Sequence, residues 1–188
     1  MRVEAKLEEL GLALPGPVKT PPGLVLPFSW VRVRGKRAYV SGHVPLDPDG
    51  SFAGPVGKVG TEVSLEQGYE AARLTALAML GNLKRALGDL DRVSAWLRVF
   101  GMVNSAPGFD RQPNVINGFS DLILELYGPE VGDHALGGGH GGAAAGDARR
   151  GRGRGRDTQR LAGTTEIPRY CSFTEARRRG EFWEVGRP

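Results

Sequence analysis

A metal, an acid–base pair, a phosphate cradle or a nucleic-acid contact would each need a recognisable set of side chains, and four stretches of this chain can be weighed for them. His43, His134, His140 and Cys171 are its histidines and its cysteine, and their separations fit no metal-ligand spacing. No metal is expected, and a histidine beside a strand end is read as structural. Asp47 and Asp49 lie in LDPDG, a turn-forming sequence whose carboxylates need only solvent, so no catalysis is assigned to them. Gly137, Gly139 and Gly142 satisfy GxGxxG, but that cradle requires a strand before it and a helix after it. Here the glycines follow Gly128-Pro129 and a loop, and the match is read as composition. The run ARRGRGRGR ending at Arg156 could meet phosphates through its guanidinium groups, yet no aromatic is interleaved for bases to stack on. Non-specific attraction to polyanions is the expectation there.

The elements that could position any site lie before that run. Residues 1 to 135 hold 14 Lys+Arg against 15 Asp+Glu, whereas residues 136 to 188 hold 11 Arg, no Lys and 6 Asp+Glu. The net charge of +4 therefore belongs to the tail, and the basic pI says little about what the front of the chain binds. No run of 18 apolar residues is present, the N-terminus MRVEAKLEEL is charged and amphipathic, and one cysteine excludes an internal disulfide framework. These features predict a soluble cytoplasmic protein with no membrane partner.

The spacing predicts a short helix over Val3–Leu10 stopped by Gly11, then an extended connector through PGPVKTPPG. WVRVRGKRAYVSGHV alternates apolar and basic residues around Gly35-Lys36 and reads as a hairpin. Ser64 and Gln67 form a capping box, and the stripe Leu65, Tyr69, Ala72, Ala76, Leu80, Leu83, Leu87 runs to Gly88. Val93–Val103 reads as a strand covered on both faces. Pro113 opens a second helix with Val115, Phe119, Leu122 and Leu126 on one face and Gly128-Pro129 as its stop. Both helices on one face of a sheet imply an α+β sandwich. Glycine fills 9 of the 19 positions from Gly137 to Gly155, so no strand is expected from residue 136 onward. The division expected is a domain over 1–135 and a disordered Gly/Arg-rich tail over 136–188, in which FWEV (Phe182 to Val185) is a short strand or nothing.

YVSGHVPLDPDG, WLRVFGMVNSAPGF and QPNVINGFSDLILELYG resemble the Rid family, the YjgF-like reactive-intermediate deaminases also labelled endoribonuclease L-PSP. The resemblance covers roughly Val3 to Ala135. It implies a chorismate-mutase-like sandwich with two helices on one face of a mixed sheet, assembled as a homotrimer with clefts between subunits. It further implies a small imine- or keto-acid-like ligand, hydrolysed to a keto acid and ammonia without metal or organic cofactor. Ser41 and Gly42 match residues that line the family cleft, Asn117 matches an Asn there, and Phe28 aligns near a cleft Tyr whose hydroxyl it lacks. Beside that reading stands a plainer one, in which Ser41-Gly42 ends a strand, Asn117 solvates a helix face and Phe28 is core.

The resemblance implies that an Arg grips the substrate carboxylate and that a Glu in the last strand activates water. His134-Ala135 is in register with the family's Ala-Arg-Ser segment, but Leu136 stands at the Arg position, so no catalytic residue is assigned. LGGGHGGAAAGDARRGRGRGRD can be encoded so that a neighbouring frame reads SAVGMAALPRGTPVEVEAEVE, which carries the family's Leu-Pro and its Glu-rich ending. A small insertion or deletion near the codons for Ala135 accounts for both the lost segment and the alternating Gly-Arg. The expectation is an inactive deaminase with its last strands missing. The alternatives are a non-catalytic metabolite-binding or regulatory protein and RNA binding through the basic tail, with nucleic acid ranked below the small ligand.

Overall fold

The computed structural model describes residues 2–132 and the backbone of 135–141. All of these fall in one compact unit, 1–147; the second unit, 148–188, lies outside the described residues, as do Gly142, Cys171, the arginine run, the FWEV segment and the expected tail disorder.

Helix α1 (Arg2–Glu9) buries Val3 and Leu7, a spacing of four that puts both on one face. The connector follows as extended chain and is pinned to the LDPDG turn, with Gly16 N–H donating to the Pro48 carbonyl at 3.1 Å and Lys19 N–H to that of Gly50 at 2.9 Å. Asp49 does more there than meet solvent. It pairs with Lys19 and accepts the Ser51 N–H at 2.9 Å, and these hydrogen bonds hold its carboxyl well below the usual carboxylate range.

The hairpin is formed by β1 (Val31–Arg34) and β2 (Arg37–Val40), with Val31 opposite Val40 and Arg34 opposite Arg37. Gly35, at φ 56°, supplies the left-handed residue that this two-residue turn needs. Helix α2 (Leu65–Leu87) starts at the expected capping box, where Gln67 N–H donates to Ser64 Oγ and Ser64 N–H to Gln67 Oε1. It ends at Gly88 in a left-handed cap. Helix α3 (Gln112–Tyr127) crosses α2 at Gly118, where a Cβ would sit 2.0 Å from the Tyr69 carbonyl oxygen, so only glycine permits this approach. Leu80, Leu122 and Ile123 fill the seam almost without exposure, and α1 closes it from the side.

The strand between the helices is shorter and later than the pattern predicts. Residues 90–92 form a 3₁₀ turn, and β3 runs Val99–Ser105. Trp96 accounts for the difference: its N–H donates to the Val131 carbonyl at 2.8 Å, and its ring lies edge-on to Phe119 and Tyr127 inside the helical core. Nor is the strand covered on both sides. Gly101 and Val103 face the helices, with a Gly101 Cβ position 2.3 Å from Ile116, whereas Phe100 and Met102 on the other face are 60% and 52% exposed.

After the short α4 (Pro129–Gly132), β4 (Ala135–Gly141) pairs parallel with β3, Val99 opposite Ala135 and Ser105 opposite Gly141. This corrects the expectation of no strand from residue 136 onward, and β4 also runs across the boundary drawn after Ala135. Pairing to a strand edge uses backbone N–H and C=O groups, which glycine carries like any residue, so a glycine-rich segment returning from a helix can still satisfy an open edge. Gly137 and Gly139 lie within this strand, which is not the strand-then-helix turn that a phosphate cradle needs. Among the described residues the strands form two separate two-stranded sheets, one antiparallel (β1–β2) and one parallel (β3–β4).

Candidate functional site

At the end of the hairpin the chain turns from β2 through Ser41 and Gly42 to His43. Ser41 N–H donates to the Trp30 carbonyl at 2.9 Å, and Ser41 Oγ–H donates to that of Ser29 at 2.8 Å. The hydroxyl proton is therefore committed to holding the base of the hairpin together, while the oxygen lone pairs stay available to a ligand donor. Gly42 is exposed and has open space where a side chain would be. Phe28 is exposed too, against its reading as core, and stands edge-on to Trp30 at 5.0 Å. Phe28, Ser41 and Gly42 thus share one surface around Trp30.

His43 backs this surface. Trp30 packs on its ring at 5.0 Å, Nδ1–H donates to the Ser41 carbonyl at 2.7 Å, and Nε2 accepts from Asn82 Nδ2 at 2.8 Å. Asn82 in turn accepts from Arg85 Nη2 at 3.0 Å, and Arg85 Nη1 donates to the Pro15 carbonyl at 3.1 Å. The pattern fixes the tautomer, because a carbonyl can only accept and Arg85 can only donate. Burial pushes the imidazole pKa down, the Ser41 hydrogen bond works against that, and the Arg85 charge adds to the fall. Asn82, Trp30 and Arg85 carry this site without standing out in a motif. The signal for Asn82 was a buried polar residue within the apolar stripe between Leu80 and Leu83.

Asn117 is elsewhere. It is exposed on α3 and lines a groove of about 290 Å³ with Leu65, Glu66, Tyr69, Asn114 and Asp121, in which Tyr69 Oη–H donates to Asp121 at 2.9 Å. That hydrogen bond raises the Tyr69 pKa. The groove abuts the first turns of α2, whereas His43 meets α2 at Asn82, about 20–25 Å along the helix at about 1.5 Å per residue. Within one chain, Asn117 and Ser41-Gly42 do not share a cleft.

Glu4, Asp89 and Asp91 bring carboxylate oxygens within 4.8 Å of one another. Most of their oxygens are already in use: Asp91 accepts the Arg2 and Val3 N–H groups, Asp89 accepts the Asp91 N–H, and Glu4 Oε1 accepts Lys84 Nζ and the Leu90 N–H, while Glu4 Oε2 is buried without a hydrogen-bond partner. The cluster fastens α1 to the 3₁₀ turn.

Helices α2 and α3 laid on short paired strands, with a Ser-Gly strand end beside an aromatic platform, define an α+β protein of the chorismate-mutase-like sandwich type. Residues 4–136 match the family model described as "YjgF/chorismate mutase-like, putative endoribonuclease", and the chain belongs to this family. It is similar to "Protein TCP17" of Trypanosoma cruzi, 40% identical over 134 residues that make up 71% of this chain and 80% of the relative. Two solved structures share the fold. One is the Agrobacterium tumefaciens protein Atu1372, titled as of unknown function, with a TM-score of 0.62 and 32% identity over 74% of this chain and 80% of its own. The other, from Shewanella oneidensis and titled "a putative endoribonuclease", has a TM-score of 0.64 and 30% identity over 74% of this chain and 89% of its own. Among the described residues no helix is long and apolar enough to cross a membrane.

Proposed function

We propose that this chain is a Rid-type enamine/imine deaminase scaffold, cytoplasmic and trimeric in its intact form, whose chemistry is lost in the sequence as it stands. One observation carries the reading: the family match ends at residue 136, where the composition changes, and where the resemblance would put the substrate-gripping Arg the chain has Leu136. The division into a domain over 1–135 and an appended tail over 136–188 belongs to the same proposal.

In the intact reaction, water adds to the imine carbon, the tetrahedral carbinolamine collapses, and the C–N bond breaks to leave a keto acid and ammonia. Phe28 and the Ser41-Gly42 edge would form one wall of the ligand site, with Ser41 Oγ accepting from the substrate. A charge-assisted hydrogen bond is worth about 1.5–3 kcal/mol, so absence of the Arg weakens carboxylate holding by roughly tenfold or more. Without the Glu, no residue among the described ones is assigned to take the proton of the attacking water. The separation of Asn117 from Ser41-Gly42 supports a cleft shared between copies, since one subunit would supply the strand end and its neighbour the α3 edge.

A second reading, binding of a small metabolite without turnover, is favoured by the persistence of the Phe28–Ser41–Gly42 surface where the gripping Arg is absent. Two chains separate the readings: the protein as it stands, and one in which residues 136–188 are replaced by the neighbouring-frame sequence with the family Arg restored. The replacement is expected to sediment as a trimer and release ammonia from a 2-imino acid, while the original does neither. Saturable ligand binding by both chains with turnover by neither would favour the second reading. A coding sequence without a family-like frame across codons 130–160 would sink the proposal.

A further inference from the structure

We propose that His43 is the positioning residue of the Ser41-Gly42 strand end, and that it holds that end in place only while its ring is neutral. The proposal rests on the reading of Ser41-Gly42 as a ligand surface and adds a condition on when that surface is formed.

The hydrogen-bond chain admits one protonation state. Pro15 O, Arg85, Asn82, His43 and Ser41 O are linked in series, with a fixed acceptor at one end, a fixed acceptor at the other and the permanent donor Arg85 next to the first. Arg85 obliges Asn82 to turn its Oδ1 toward the guanidinium, which leaves Nδ2–H facing His43 Nε2. Nε2 must therefore accept, and Nδ1 must carry the ring proton that reaches Ser41. A second proton on Nε2 would point at the Asn82 amide hydrogens. Turning the amide over would relieve that clash and set the NH₂ group against Arg85, so neither rotamer satisfies both neighbours.

The ring is also partly covered. Trp30 covers it from the entrance to β1, Asn82 and Arg85 face it from α2, and among the described residues Arg85 is the charged group acting on it. Asn82 is 8% exposed and cannot exchange its partners for water without opening the contact between hairpin and helix. Protonation is therefore resolved by movement of the ring, and the ring is tied to the Ser41 carbonyl. Ser41 in turn fixes the hairpin base through its own N–H and hydroxyl.

The sign follows from the chemistry. The hold is complete above the ordinary imidazole value of 6.5 and is lost as pH falls through the lower folded-state value. A structural histidine without this coupling would titrate and leave Ser41 and Gly42 undisturbed.

The test is a pH titration by NMR of the full ligand-free chain, following the His43 ring carbons, the Ser41 and Gly42 backbone amides and the Asn82 side-chain NH₂. The expected result is one shared midpoint below 6.5 for all of them. In Asn82→Asp the carboxylate can accept from both a protonated ring and Arg85, so the His43 midpoint should rise by about one to three pH units, with Ser41 and Gly42 shifts flat across the range where the parent chain moves. The proposal is overturned if Ser41 and Gly42 amides stay still through the His43 midpoint, or if Asn82→Asp leaves that midpoint in place. Should the variant fail to fold, the parent titration decides alone through the Asn82 NH₂ signal. Because no ligand is used, this outcome is independent of whether the surface binds an imine.

Discussion

The helical half of this molecule and its strand half are built to different degrees of completion. In the helical core, Ala76, Leu80 and, from the 3₁₀ turn, Leu90 have no exposure, and the first helix is stitched on by backbone N–H groups donating to the Asp91 and Glu4 carboxylates. Among the described strands, two sheets of two strands each are formed, and Tyr39, Phe100 and Met102 are all more than half exposed. The difference follows from where each half draws its partners. Helix contacts are made between segments up to Val131, whereas β3 takes its partner strand from residues 135–141 and the β1–β2 hairpin has no third strand among the described residues. Among the described residues the helical core is therefore closed while the hairpin and the outer face of β3 stay open, which makes the helical half the expected seat of stability.

Leu122→Ala puts that division to its hardest test. Leu122 is 1% exposed at the centre of the seam, and removing its isopropyl group from a site walled by α1, α2 and Trp96 leaves a cavity. The expected loss is about 2–5 kcal/mol in urea unfolding. A loss below 1 kcal/mol would mean that the seam is not where folding free energy is concentrated.

Glu4→Gln should cost less, about 1.5–3 kcal/mol, because it removes a charge-assisted contact rather than core volume. Burial works against the Glu4 carboxylate, but the hydrogen bonds from Lys84 Nζ and the Leu90 N–H outweigh it and hold the pKa below the ordinary 4.5. A depressed carboxyl pKa gives stability that is present above the unfolded value and lost as pH falls through the folded one. The gap between parent and variant should thus be full at pH 7 and narrow below 4.5. A gap that stays constant down to pH 3 would show that Glu4 acts by packing and not by charge.

The helices and the hairpin turn were legible in the residues. The capping box at Ser64, the 3–4 stripe to Leu87, the Gly35-Lys36 turn and the Gly128-Pro129 stop are local signals, and each lies where its pattern put it. The strand after α2 was misplaced because Trp96 obeys a tertiary demand, filling the gap beside Phe119 and Tyr127, that alternation cannot express. β4 was missed because glycine composition argues against a strand by entropy, whereas pairing with β3 depends only on backbone groups. At the site, Ser41, Gly42 and Phe28 fell together on one surface. The role of His43 was invisible because its partners come from 39 and 42 residues away on another element.

The smallest effect on folding, and the sharpest on the strand half, should come from Phe100→Ser combined with Met102→Ser. Both side chains lie on the face of β3 turned away from α3, so their unfolded and folded environments are both largely aqueous, and the change in unfolding free energy should stay within about 0.5 kcal/mol. Association is another matter. Two large apolar side chains spaced by two residues on a strand that pairs along its length with a glycine-rich neighbour, and at its end with Val59, form a contiguous sticky face. The double variant should remain monodisperse at concentrations where the parent chain scatters light, while its urea midpoint is unchanged. A fall in stability comparable to that of Leu122→Ala would mean that this face is packed in the free chain, and the contrast between a closed helical half and an open strand half would fail.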